Sequence, residues 1–206
     1  MPKSRVYPSV LSLKLHIFVI GGYSPSYTVA VEIFKLDVSQ WFKADPLPKA
    51  CCDISSVAID DVIYSLGGYK HPLHLSQAVC APISDLLHSA VSADDSVESE
   101  ISFTKSVWKK LHNTPTYEPA AAVLGGKLLA IGGTDKATKG ENRKEVYMFA
   151  ELANLWTYIG DLPSGVATPG PTRAQAQDKL AYALVKLIAN LRIKYLNCKA
   201  KTSGSC

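Results

Sequence analysis

Long apolar runs are missing from this 206-residue sequence. No stretch reaches the roughly 18–20 consecutive apolar residues that a membrane-crossing helix needs. The best candidate near the start, Val10 to Ile20, is interrupted by Lys14 and His16, and no small-residue cleavage site follows it. Neither a membrane span nor a secretory leader is therefore expected. Asn-x-Ser/Thr acceptors with an allowed middle residue are lacking too. Cysteine is sparse: Cys51, Cys52, Cys80, Cys198 and Cys206 are odd in number and match no metal-ligand spacing. The adjacent pair Cys51-Cys52 suits neither a routine disulfide nor a zinc knuckle. A reducing, cytoplasmic setting is the expectation, with no metal and no cofactor.

The body also lacks a basic footprint. From Thr172 onward seven basic residues face one acid, whereas residues 1–171 hold 15 basic and 17 acidic side chains. A nucleic-acid reader carries its positive charge on the folded body, so nucleic-acid partners are not expected. What remains is a composition with 47% apolar and 19% charged residues, which is that of a folded chain.

An internal repeat organises that chain. Ile17 to Tyr23, Val62 to Tyr69 and Leu128 to Thr134 are apolar runs that end in paired glycines, Gly21-Gly22, Gly67-Gly68 and Gly132-Gly133. Each is preceded by a shorter β-prone run and a turn: Lys14-Leu15-His16, Asp60-Asp61 and Gly125-Gly126-Lys127. Two such runs joined by a polar or glycine turn read as a β-hairpin. A third strand follows a variable loop, at Val31 to Phe34 and at Val146 to Phe149. Seven residues then separate Phe34 from Trp41, and seven separate Phe149 from Trp156. Both tryptophans lead to a Leu-Pro pair, Leu47-Pro48 and Leu162-Pro163. The middle unit has Val79-Cys80-Ala81 as its third strand and Trp108 to Leu111 as its fourth, with Cys80 in place of the aromatic. The insert between them, Ser89 to Ser106, is rich in Ser, Asp and Glu and is expected to be a solvated loop.

These residues resemble the kelch-repeat family, over about residues 7–165. The resemblance implies an all-β fold: part of a β-propeller with about three four-stranded antiparallel blades, near 7–48, 53–115 and 119–163. Gly21, Gly22, Gly67, Gly68, Gly132 and Gly133 would let the chain leave the second strand with positive φ. Trp41, Trp108 and Trp156 would fill the space between blades. Propellers close with 4–8 blades, so self-association to complete the ring is one expectation. Residues 166–206 read as a linker and a basic amphipathic tail. A helix is expected from about Pro171 to Leu196, with Thr172 and Gln175 as a capping box and Leu180, Leu184, Leu187, Ile188, Leu191 and Tyr195 at helical spacing.

The resemblance also implies function: a non-catalytic protein-binding module that uses the loops after the second strands and between blades. Carried over by motif position, its partner-binding residues are Tyr23, Ser24, Tyr27, Tyr69, His71, His74, Tyr117, Asp135, Lys136 and Arg143, with the tyrosines as exposed anchors. Substrate recognition for ubiquitin ligation and a cytoskeletal scaffold are the roles implied; the partner is a protein of unknown identity. The alternatives are a propeller enzyme of the galactose-oxidase type and a truncated, non-functional fragment. His71 and His74 lack a third ligand, and Gly132 to Lys136 lacks the Gly-Lys-Ser/Thr ending of a phosphate loop. No catalytic residues are assigned.

Overall fold

The hairpins that the alternating runs imply are the inner half of each blade. In the computed structural model, residues 3–92, 106–137, 140–163 and 165 are described. In blade 1, β1 (Ser9–Leu13) pairs antiparallel with β2 (His16–Ile20), Ser9 opposite Ile20 and Leu13 opposite His16. β3 (Val31–Lys35) and β4 (Gln40–Ala44) complete the sheet, and Phe34 lies opposite Trp41. Blade 2 is built from β5 (Cys52–Ile59), β6 (Val62–Lys70), the short β7 (Leu73–His74) and β8 (Ala78–Pro82). Its outer strand is β10 (Lys109–Lys110). Blade 3 runs β11 (Ala120–Leu124), β12 (Lys127–Ile131), β13 (Glu145–Ala150) and β14 (Leu155–Asp161) in sheet order. The architecture is a partial all-β propeller of three antiparallel sheets.

The expectation of a loop throughout Ser89 to Ser106 is corrected at both of its ends. The segment is preceded by a helix, α1 (Ile83–His88), whose Leu86 is fully buried in the core between blades 1 and 2. It then forms β9 (Val91–Ser92), which adds to blade 1 as a fifth strand by pairing with β4. An outer strand edge has free backbone groups, and this segment satisfies part of that edge. Ser89 and Ser106 are also engaged: the Ser89 hydroxyl accepts the Asp45 N–H (3.0 Å), and the Ser106 hydroxyl donates to the Asp45 carboxylate (3.0 Å). Residues 93–105 lie outside the described residues. So does the helix expected over 171–196.

The core sits between blades because interior sheets are covered on both faces. Ile33, Phe18 and Ile20 of blade 1 meet Ile54, Ile63 and Val79 of blade 2, with Trp108 beside them. The opposite face of blade 2, with Tyr64 and Leu66, meets Leu128 and Phe149 of blade 3, with Trp156 alongside. Trp108 and Trp156 thus pack toward the blade before their own. Removing this apolar surface from water is the main force holding the blades together.

Candidate protein-binding face

The glycine pairs set where the loops go. Gly67 and Gly68 have φ of +70° and +103°, the left-handed region that side-chain-bearing residues avoid. Gly21-Gly22 and Gly132-Gly133 have the same sign. The chain leaves β2 and β12 through these glycines, while in β6 the pair sits within the strand just ahead of its end at Lys70, and the loops that follow lie on one side of the array. The connectors between blades are stitched beneath those loops. Leu47 N–H donates to Val29 carbonyl (2.8 Å) under the first, and Thr114 N–H to Ser76 carbonyl (2.8 Å) under the second. Leu162 N–H repeats the bond to Lys144 carbonyl (2.7 Å) in blade 3.

On this side the structure gathers five of the expected partner-binding residues into a row. The rings of Tyr23 and Tyr27 meet edge to face at 5.2 Å, and Tyr27 meets Tyr69 at 6.3 Å. Tyr69 continues the row to His74 at 5.2 Å, and its hydroxyl lies 3.0 Å from Nδ1 of His71. Tyr23 and His71 are exposed, whereas Tyr27, Tyr69 and His74 are half-buried. Aromatic edges and hydroxyls on a fixed backbone offer apolar area with polar handles. Ser24 shapes the first loop through its N–H, which donates to Ser26 carbonyl (2.9 Å).

The remaining expected residues stand apart, at the corner of blade 3. Tyr117 is half-buried and exchanges main-chain hydrogen bonds with Thr134 (2.9 and 2.8 Å). Asp135 is exposed and its carboxylate accepts the Glu141 N–H (2.8 Å); the Lys136 carbonyl accepts the Thr134 hydroxyl (2.9 Å). Arg143 is held by an ion pair with Glu145 on β13. The expectation of four exposed anchoring tyrosines is thereby corrected: Tyr23 is exposed, whereas Tyr27, Tyr69 and Tyr117 are half-buried, the first two in ring contact with each other.

One carboxylate at the site was not singled out from the sequence. Glu118, buried in the connector to blade 3, forms an ion pair with Nδ1 of His74. Burial pushes its carboxyl up to about 7, against the lowering effect of His74 and with a further rise from Asp53. His74 N–H also donates to Ala137 carbonyl (2.7 Å), so the blade 2 loop is tied to both the connector and the blade 3 loop. A signal for Glu118 does exist in the chain. Tyr7, Asp53 and Glu118 each lie fifteen residues before the second glycine of a pair. All three have positive φ, between +50° and +56°. Beside Asp53, burial drives the Cys51 thiol up to about 12, and it also raises Cys52, whose Sγ donates to the Asp53 carboxylate (3.1 Å). Both thiols are unreactive in that state.

Residues 115–163, which are blade 3 and the connector leading into it, match the family model of the Kelch motif. This stretch is a kelch repeat. The kelch match covers one blade, and blades 1 and 2 repeat its hairpin, its glycine turns and its stitched connector. Comparison with curated proteins gives no match. Among the described residues, no three His, Cys, Asp or Glu are grouped to hold a metal, and no helix is long and apolar enough to cross a membrane.

Proposed function

We propose that this kelch chain is a non-catalytic protein-binding module whose loop side receives a partner protein. The observation that carries the reading is the row Tyr23–Tyr27–Tyr69–His74, in which two blades contribute to one continuous aromatic surface. Surface aromatics braced against each other lose little side-chain freedom on binding, which is why such residues dominate interface energetics. The kelch family is mostly non-enzymatic, and this reading assigns the chain to that majority. Substrate recognition for ubiquitin ligation and cytoskeletal scaffolding both require such a loop-side contact. We propose too that copies of the chain associate, so that the described blades of one extend the array of another. Affinity capture with the wild-type chain and a loop-side variant tests the binding role.

A further inference from the structure

A concavity lies beside the aromatic row, sharing His74 with it. Where the connector after β4 crosses blade 2, a pocket of about 480 Å³ opens between blades 1 and 2. That volume falls within the roughly 300–1,000 Å³ typical of binding pockets. Its floor is apolar: Val79 and Trp108 are buried there, and Leu75 adds a half-buried wall. Its mouth is basic, since Lys49 and Lys110 are both exposed. Among the described residues that line it there is no Asp or Glu, and none of the ion pairs of the described residues involves either lysine. His74 also lines the pocket, but its Nδ1 is taken up by Glu118, so the two lysines set the sign at the mouth.

We propose that this pocket takes a short acidic segment of a partner protein, with an apolar side chain seated over Trp108 and flanking carboxylates at Lys49 and Lys110. The inference rests on the loop-side binding reading and names the chemistry of what binds. His74 and Tyr117 belong both to the pocket and to the expected binding residues, so a segment seated here continues onto the loop side. A free anion would answer the lysines and leave the apolar floor unused. Burying an apolar group on that floor adds affinity that charge alone does not supply. The charge contribution is screened by salt because both lysines face water.

The test uses the full chain and a fluorescein-labelled hexapeptide, Glu-Asp-Leu-Phe-Glu-Asp, read by fluorescence anisotropy. Wild type is expected to bind it saturably, and more weakly as salt is raised. Lys49→Glu combined with Lys110→Glu should weaken binding about tenfold or more, with an unchanged melting curve as the check on folding. Replacing Leu-Phe by Ser-Ser in the peptide should weaken it by a similar factor. The variant with Val38→Ala and Leu152→Ala, exposed residues outside both the pocket and the loop row, should still bind this peptide. Absence of saturable binding, or indifference to the charge reversal, overturns the proposal. Equal binding of the Ser-Ser peptide, with full displacement by inorganic phosphate, also overturns it and marks a plain anion site. If the hexapeptide fails while partner capture still depends on Tyr23 and Tyr69, this pocket assignment falls and the loop-side reading stands.

Discussion

The indole N–H of Trp108 donates to the main-chain carbonyl of Asp45 at 3.1 Å, four residues after Trp41. Blade 3 repeats the arrangement: Trp156 donates to the carbonyl of His112 at 2.9 Å, four residues after Trp108. In blades 2 and 3 the tryptophan is therefore a pin into the connector of the blade before it. Trp41 has the same ring partner as Trp156, a phenylalanine about 5 Å away, but no described blade precedes it.

This difference predicts unequal costs for the same substitution. Trp108→Phe removes a buried donor and part of a packed ring, and should cost about 2 kcal/mol. Trp41→Phe keeps the contact with Phe34 and should cost less than about 1 kcal/mol. Urea melts of the two variants measure this, and equal losses would contradict the pin.

Ring completion by self-association predicts the mass in solution. Light scattering should give a particle of at least twice the 22.2 kDa of the chain. A stable, well-dispersed species of single-chain mass would contradict it.

The glycine turns predict a contrast between two alanine variants. At Gly67 an added Cβ would lie 2.8 Å from Glu118 Cα and 2.9 Å from Pro119 Cδ, on a backbone with φ of +70°. Gly67→Ala should therefore cost about 3 kcal/mol or more, from strain plus a clash with a connector that is itself stitched in place. Gly125→Ala, with φ of +56° and nothing within 4 Å, should cost only about 1 kcal/mol. Thermal melts that rank them the other way would show that the glycine pair is not packed against the next blade.

Glu118 predicts a pH dependence. Its carboxyl titrates near 7 in the folded protein against an ordinary value of 4.5. Between those values the folded state holds the proton and the unfolded state has released it. This group's contribution to stability is therefore full at low pH and declines as pH rises from about 4.5 to about 7. Glu118→Gln should flatten that part of the stability–pH curve, and parallel curves for variant and wild type would contradict the assignment.

Much of the fold was legible because blade geometry forces particular residue types at particular steps. A second strand that must turn sharply beside the next connector admits glycine at Gly67, since any Cβ meets the main chain of Glu118. The Phe-to-Trp step of seven is the length of a strand, a turn and the return to a directly opposed position, as Phe34 and Trp41 show. Other features left no periodic trace. A two-residue strand such as Val91–Ser92 is too short to alternate, and its pairing with β4 depends on a sheet edge nearly fifty residues away. The tie between His74 and Glu118 joins positions 44 apart in the chain, and the fifteen-residue step that marks Glu118 does not name its partner. Motif position placed Tyr23, Tyr27 and Tyr69 on one side, but which rings touch is decided by packing between blades.

The most direct test of the account is partner capture by the 206-residue wild-type chain set beside a variant carrying Tyr23→Ala, Tyr69→Ala and Arg143→Ala. A control with Val38→Ala and Leu152→Ala, two exposed residues away from the loop row, should behave as wild type. Protein-binding through the loop side predicts that a saturably captured partner is lost with the triple variant and kept with the control. If every captured partner survives the triple change with the chain folded, the loop side is not the binding surface.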